Sequence, residues 1–349
     1  MLDYKKHLIH SGASIKDALE KLNELGKDAI LFVVNEKEEL MGSLTDGDVR
    51  RGLLKNAVIS DKVDDIIESN PRFIRKREQN IQKVIEYRRN NYRILPVLAK
   101  DSGKVVSIIN FRTLRSYLPV DAVIMAGGKG TRLMPLTKDT PKPLLKVGEK
   151  PIMEHNVDRL AEFGIDDFWF SVNYLGEQIE SYFKDGAHKN IHIEYVWEKE
   201  PLGTIGAVAQ IKNMQHDYIL ITNSDLLTNL DYEAFFLDFI EKEADFSVVS
   251  IPYKVDIPYA VLELNDTRIT SFKEKPTYTY YSNGGIYLMK KEVLKRIPPN
   301  AFYNATDLME ELVNEGKNVI SYPLIGYWLD VGKHEDFEKA QHDIHRIHF

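Results

Sequence analysis

Apolar positions follow two rhythms along this chain. Between residues 13 and 60 the order reads helix, strand, strand, helix. Ala18, Leu19, Leu22 and Leu25 recur at helical spacing, AILFVV (29–34) is an unbroken run of buried-strand length, and LMGSL (40–44) follows the polar turn NEKEE. The order recurs from 61 to 118, where Val63, Ile66 and Ile67 precede the helical IQKVIEYRRNN, the strand RILPVLA, a turn at KDSG and the strand KVVSII. One supersecondary unit therefore appears twice. Leu118, Pro119 and Val120 then lead, with no flexible linker, into short apolar strands that each end in a polar or glycine-rich segment: residues 121–125, DFWFSV before Asn173, and ILIT before Asn223. Strands of this kind open a doubly wound sheet, whose ligands bind at the C-terminal strand ends.

The 349 residues make about twice one usual domain, which predicts two domains, here 1–118 and 121–349. With 43% hydrophobic and 28% charged residues the whole chain is expected to fold. A net charge of −7 gives no electrostatic reason to bind a nucleic-acid backbone. Cysteine is absent, so a metal must take oxygen or imidazole ligands, which favours hard ions such as Mg²⁺. No apolar run reaches signal-peptide or membrane-span length, and a cytoplasmic location is expected.

In the first half, GSLTDGDVRR (42–51) closes the second strand of the repeat. This arrangement resembles a tandem CBS pair, and the resemblance implies a ribose site for an adenosine ligand at Thr45 and Asp48. A hydroxyl and a carboxylate can pair with vicinal ribose hydroxyls. The same residues also suit a turn followed by a helix N-cap. The second repeat has Ile109 and Arg112 at the matching places, so at most one such site is expected.

In the second half, AGGKGTRL (126–133) follows the first strand. Glycines let a phosphate chain approach the amide N–H groups, and Lys129 and Arg132 add positive charge. Such a loop alone also serves as a plain turn. Its continuation, LMPLTKDTPKPLLKVGEKPIMEHNVDRL, resembles the signature of the sugar-1-phosphate nucleotidyltransferases. The resemblance implies a Rossmann-like, GT-A-like mixed α/β sheet with helices on both faces, behind a smaller α+β CBS-pair domain. It implies nucleotide contacts at Ala126, Gly127, Gly128, Gly130 and Thr131, with Arg132 on the β- and γ-phosphates and Lys142 on the α-phosphate and the sugar phosphate.

Further segments resemble elements of that family. WEKEPLGTIGAV (197–208) implies base and ribose contacts at Glu198, Gly203 and Thr204, against a following helix N-terminus; Gly206 and Ala207 read as packing positions. SFKEKP (271–276) and SNGGIYLM (282–289) imply a sugar-phosphate pocket at Glu274, Lys275, Asn283 and Gly285, with Asn173 near it; taken singly, Glu274 and Lys275 read as solvent-facing strand residues. Asp225, after the strand ILITNS, and Asp330, in YWLDVGKHEDF, are implied as the two Mg²⁺ ligands. An Asp at a strand end is also a common helix cap. Two carboxylates completed by phosphate oxygens and water suit this ion. His342, His345 and His348 read as part of a charged last helix.

The implied reaction transfers a nucleotidyl group from an NTP to a sugar 1-phosphate and releases pyrophosphate. The sugar phosphate is already anionic near neutral pH, so it needs no general base. A CBS pair fused to this transferase resembles the glucosamine-1-phosphate guanylyltransferases of legionaminic acid synthesis, which makes GTP and glucosamine 1-phosphate the first expectation. Mannose- or heptose-1-phosphate guanylylation, and glucose-1-phosphate uridylylation or thymidylylation, are the alternatives. A nucleotide-sensing protein without turnover is the reading from another class. CBS pairs often associate, so a homo-oligomer is expected.

Overall fold

The computed structural model describes residues 4–77 and 80–347, and its first helix starts where the chain supplies a cap. Ser14 Oγ accepts from the Asp17 N–H at 3.1 Å while Asp17 Oδ2 accepts from the Ser14 N–H at 3.1 Å. This reciprocal box opens α1 (Ile15–Leu25), which buries Ile15, Ala18 and Leu22. Around it, β1 (Leu8–His10) runs parallel to β2 (Ile30–Val34), which pairs antiparallel with β3 (Leu40–Thr45), and α2 (Asp46–Leu54) follows. The second repeat has the same order and senses in β4 (Ile74–Arg75), α3 (Ile81–Arg89), β5 (Ile94–Leu98) and β6 (Val105–Asn110). Phe32 and Val34 of the first sheet share one core with Ile94, Val105 and Ile108 of the second. The repeat is incomplete. Where α2 follows β3, a single turn follows β6, with the Leu114 N–H on the Asn110 carbonyl at 2.8 Å.

By internal contacts the chain divides into one unit of residues up to 119, with 161–166 and 188–190, and a second of 120–160, 167–187 and 191 onward. The second unit is built on a seven-stranded mixed sheet. In chain order its elements are β7 (Val120–Ala126), β8 (Lys146–Val147), β9 (Lys150–Pro151), α4 (Ile152–Glu162), β10 (Asp167–Val172), α5 (Gly176–Phe183), β11 (His192–Trp197), β12 (Tyr218–Asn223), β13 (Leu226–Thr228), α6 (Tyr232–Glu241), β14 (Phe246–Asp256), β15 (Val261–Asn265), β16 (Arg268–Lys273), β17 (Thr277–Lys290), α7 (Ala305–Asn314), β18 (Val319–Pro323), β19 (Trp328–Asp330) and α8 (His334–Asp343). The sheet order is β11-β10-β7-β12-β17-β14-β18, with β17 antiparallel to both its neighbours and the other pairs parallel.

Alternation along the strands sends side chains to two faces, and helices cover both. Trp169, Ile219 and Ile221 share a core with Leu308 and Leu312 of α7. Their neighbours face the other way: the Phe170 ring meets Phe183 of α5 at 5.2 Å, and Tyr218 meets Phe236 of α6 at 5.2 Å. All six residues of β10 are buried, as a central parallel strand requires. Among the described residues, no helix is long and apolar enough to cross a membrane. His342 lies in α8, His345 in the turn after it, and His348 outside the described residues.

Candidate active site

The parallel strands β7, β10 and β12 end on the same side of the sheet, and a cleft of about 380 Å³ opens beyond them. The loop after β7 lines it with Gly127, Gly128, Gly130, Thr131 and Arg132. Gly130 adopts φ +61°, and a side chain there would press on Lys142 Cβ and Thr137 Cγ2 at 3.0 Å. The loop thus folds back tightly onto the Lys142 segment. A 3₁₀ turn, Thr131–Leu133, follows in place of an α-helix, so the backbone amides at this strand end belong to the loop itself.

Asp225 sits in the bend between β12 and β13, not at a helix start, and its own carboxylate is free of capping duty. The antiparallel register of β13 on β19 sets Leu226 opposite Asp330, and the Val331 N–H donates to the Asp225 carbonyl at 3.0 Å. Two carboxylates more than a hundred residues apart in sequence are thereby made neighbours. The Lys142 ammonium, only 9% exposed as a residue, is in close contact with Asp225 Oδ2 and lies 3.9 Å from Asp330 Oδ1. Burial, then the charge of Asp225, raises the Asp330 pKa; Lys142 and Arg132 oppose that rise. Oδ1 of Asp225 and Oδ1 of Asp330 are both buried without a hydrogen-bond partner among the described residues. Two orphaned carboxylate oxygens at one place fit a hard cation that takes oxygen ligands.

Glu198, Gly203 and Thr204 also line the cleft, with Glu198 against Gly127. Glu198 is engaged within the fold, accepting from Ser171 Oγ and, at 3.0 Å, from the Leu202 N–H. It therefore shapes the 198–202 segment. Asn173 Nδ2 donates to the Glu198 carbonyl at 2.7 Å, which ties the end of β10 to the same segment. Gly203, at φ +80°, leaves no room for a Cβ, which would fall 2.6 Å from the Tyr303 carbonyl oxygen. Thr204 Oγ1 accepts from the Ala305 N–H at 2.8 Å and so caps α7. The expected helix after this segment is a short 3₁₀ stretch, Gly206–Gln210.

Ala126 is buried at the end of β7, and Gly285 in β17 packs on Asn223, whose Nδ2 lies 2.6 Å from where a Cβ would stand. Asn283 Oδ1 accepts from the Gly285 N–H at 2.9 Å. Glu274 and Lys275 are exposed in the turn between β16 and β17 and do not line the cleft. Thr45 and Asp48 lie in the other unit, where they cap α2: Thr45 Oγ1 donates to Asp48 Oδ2 at 2.6 Å, and Arg51 pairs with Asp48. In the second repeat Arg112 pairs with Asp28 at 2.9 Å. Sequence reasoning passed over Phe302, which lines the cleft beside Pro201 while 65% exposed. Its backbone is held on one side by the Tyr303 N–H on the Leu202 carbonyl at 2.9 Å and the Ile205 N–H on the Tyr303 carbonyl at 3.2 Å.

The nucleotidyl transferase family matches residues 121–347, and the CBS domain matches residues 7–55. The chain belongs to the nucleotidyl transferase family. A mannose-1-phosphate guanyltransferase of Schizosaccharomyces pombe is 33% identical over 225 residues, 62% of this chain and 62% of its own length. A UTP–glucose-1-phosphate uridylyltransferase of Synechocystis is 31% identical over 239 residues, 63% of this chain and 62% of its own. The chain thus spans less than two thirds of these curated relatives. A solved Bacillus anthracis structure, provisionally designated a glucose-1-phosphate thymidylyltransferase, is 25% identical with a TM-score of 0.53 over 66% of this chain and 97% of that one. The nucleotidyl transferase resemblance read from the sequence is borne out, and the CBS resemblance is borne out over residues 7–55.

One further cluster lies at the opposite end of this nucleotidyl transferase sheet. Asp121, Asp167 and His216, at or just before the starts of β7, β10 and β12, bring ligand-type atoms within 4.8 Å of one another. Asp121 Oδ2 accepts from the N–H groups of Gln215 and His216 at 2.7 and 2.9 Å, and burial pushes its carboxyl up to about 7. Its place at the strand N-termini separates it from the cleft and from Asp225 and Asp330.

Proposed function

We propose that the chain joins an NTP to a sugar 1-phosphate and releases pyrophosphate, in a direct in-line displacement. The observation that carries this reading is the meeting of Lys142, Asp225 and Asp330 beside the glycine loop and Arg132. Two polyanions repel one another, and fixed cations align them without reorganising. Arg132 binds the β- and γ-phosphates, while Lys142 reaches the α-phosphate and the incoming sugar phosphate. A sugar-phosphate oxygen forms the new bond to the α-phosphorus, the bond to the bridging oxygen of the β-phosphate breaks, and that oxygen leaves on pyrophosphate. Asp225 and Asp330 would hold Mg²⁺, which when bound neutralises charge at the α-phosphate.

GTP with glucosamine 1-phosphate is the favoured pair, and with it a place in legionaminic acid synthesis. The resemblance of the whole CBS–transferase architecture supports it, as does the guanyltransferase named among the relatives. Mannose- or heptose-1-phosphate guanylylation and glucose-1-phosphate uridylylation or thymidylylation are the alternatives, since relatives with other bases match similarly. Glu274, Lys275, Asn283 and Gly285 are proposed for the sugar phosphate, and an adenine nucleotide for Thr45 and Asp48. Pyrophosphate release, measured over each NTP crossed with glucosamine, N-acetylglucosamine, mannose and glucose 1-phosphates, tests the reading. Signal confined to GTP with glucosamine 1-phosphate is expected. Signal elsewhere would replace the substrates, and silence from folded protein that binds nucleotide would favour a sensor without turnover.

A further inference from the structure

Asp121, Asp167 and His216 take no part in the proposed transfer, yet all three are withdrawn from solvent, at 0%, 5% and 4% exposure. Neighbouring parallel strands bring them together. β10 pairs Phe168 with Ala122 of β7, the residues that follow Asp167 and Asp121, and His216 lies just before β12. One ligand-type atom of each lies within 4.8 Å of the other two, and His216 Nε2 is 3.8 Å from Asp167 Oδ2. Two ligands bound to one tetrahedral ion at ~2.0–2.1 Å stand roughly 3.4 Å apart, so side-chain shifts of about 1 Å close the set around an ion.

The cluster contains a polar atom that the fold leaves unserved. Asp121 Oδ2 takes the N–H groups of both Gln215 and His216, while Oδ1 is buried without a hydrogen-bond partner among the described residues. Buried carboxylate oxygens are normally paired, so an orphan in a ring of ligand-type atoms points to a cation. Charge points the same way. Burial above all, and then the charge of Asp167, push the Asp121 carboxyl up, against the two N–H groups and against Lys291, whose ammonium donates to the Met214 carbonyl at 2.7 Å. Two carboxylates this close and this dry cannot both ionise without a counter-charge. Asp167 and His216 each need to give an ion one atom only, which leaves the other for hydrogen bonds within the fold.

We propose that Asp121, Asp167 and His216 hold a structural divalent transition-metal ion, Zn²⁺ before others, through one atom each with water completing the shell. The donor set chooses the metal: carboxylate oxygen with imidazole suits Zn²⁺, whereas Mg²⁺ prefers oxygen alone. The ion ties together the N-terminal ends of three parallel strands whose C-terminal ends lead into the glycine loop, Asn173 and Asp225. Its part is to stabilise the sheet rather than to meet substrate. In the metal-free chain Asp121 keeps its proton instead, and binding the ion releases it. The inference stands apart from the transferase reading, since it uses none of Lys142, Asp225 and Asp330.

Chelation of the full chain, reloading with Zn²⁺ and desalting test it, with metal content read by inductively coupled plasma mass spectrometry and the thermal midpoint read beside it. An Asp225→Asn/Asp330→Asn background removes the cleft carboxylates from the count. In that background about one Zn²⁺ per chain is expected, with the thermal midpoint raised by roughly 5 °C in excess ion. Adding Asp121→Asn, which keeps an acceptor for the Gln215 and His216 N–H groups, should lose both. His216→Gln provides a second variant should the first not fold. Folded protein that holds no Zn²⁺ in the background lacking the cleft carboxylates, or that holds it equally after Asp121→Asn or His216→Gln, would overturn the proposal.

Discussion

Phe302 is a 65% exposed aromatic ring that lines the same cleft as the cations Arg132 and Lys142. Phosphates belong with the cations, so the base belongs with the ring. Base–aromatic stacking contributes ~1–3 kcal/mol. Phe302→Ala should therefore raise KM for the NTP about tenfold, taking ~1.4 kcal/mol per factor of ten, with KM for the sugar phosphate unchanged and Phe302→Trp near wild type. Steady-state kinetics with each substrate varied would refute this if the sugar-phosphate KM moved instead. Phe302 escaped the sequence reading because a lone aromatic in PPNAFYN has no spacing that ties it to Pro201. Lys142, Asp225 and Asp330 were readable as candidates because each stands in a long contiguous segment. What could not be read was the Lys142 ammonium set between the two carboxylates, which depends on the register of β13 on β19. Glu198 shows the reverse case: a candidate for ligand contact whose carboxylate is engaged by Ser171 and Leu202.

Secondary-structure elements were largely foreseeable, for a physical reason. Period-two and helical patterns record which faces are buried, and the strands of both repeats and of the mixed sheet carry them plainly. The missing last helix of the second repeat was less visible, since SIINFRTL carries no cap like Thr45 and Asp48. Thr45→Ala removes that cap from α2 and should cost about 1 kcal/mol of stability, read from denaturant unfolding. At the start of β7, burial lifts Asp121 from the ordinary 3.8 to about 7. The folded chain then holds a proton that the unfolded chain releases. The stabilisation from this group is complete below pH 3.8 and is lost as pH rises to about 7. Asp121→Asn keeps the acceptor for the two N–H groups and does not ionise, so it should stabilise the protein at pH 8 relative to wild type and by less at pH 5. Denaturation curves giving the same difference at both pH values would contradict the assignment.

Over the whole molecule, a nucleotidyl transferase unit is joined to a CBS-type unit in which the first repeat alone carries the Thr45–Asp48 pair followed by a helix. An adenine nucleotide at that pair is expected to shift the kinetics, and identical rates with and without it would count against such a site. The proposed transfer rests on Lys142, Asp225 and Asp330. Its most direct test is Mg²⁺-dependent pyrophosphate release from NTP and sugar 1-phosphate by the wild-type protein and by Asp225→Asn. Wild-type release should require both substrates, and the variant should lose turnover by about a hundredfold or more, the scale of removing a fixed electrostatic contact to the transition state, while still binding NTP. Near-wild-type turnover by Asp225→Asn at saturating Mg²⁺ would contradict a metal-binding role for this carboxylate.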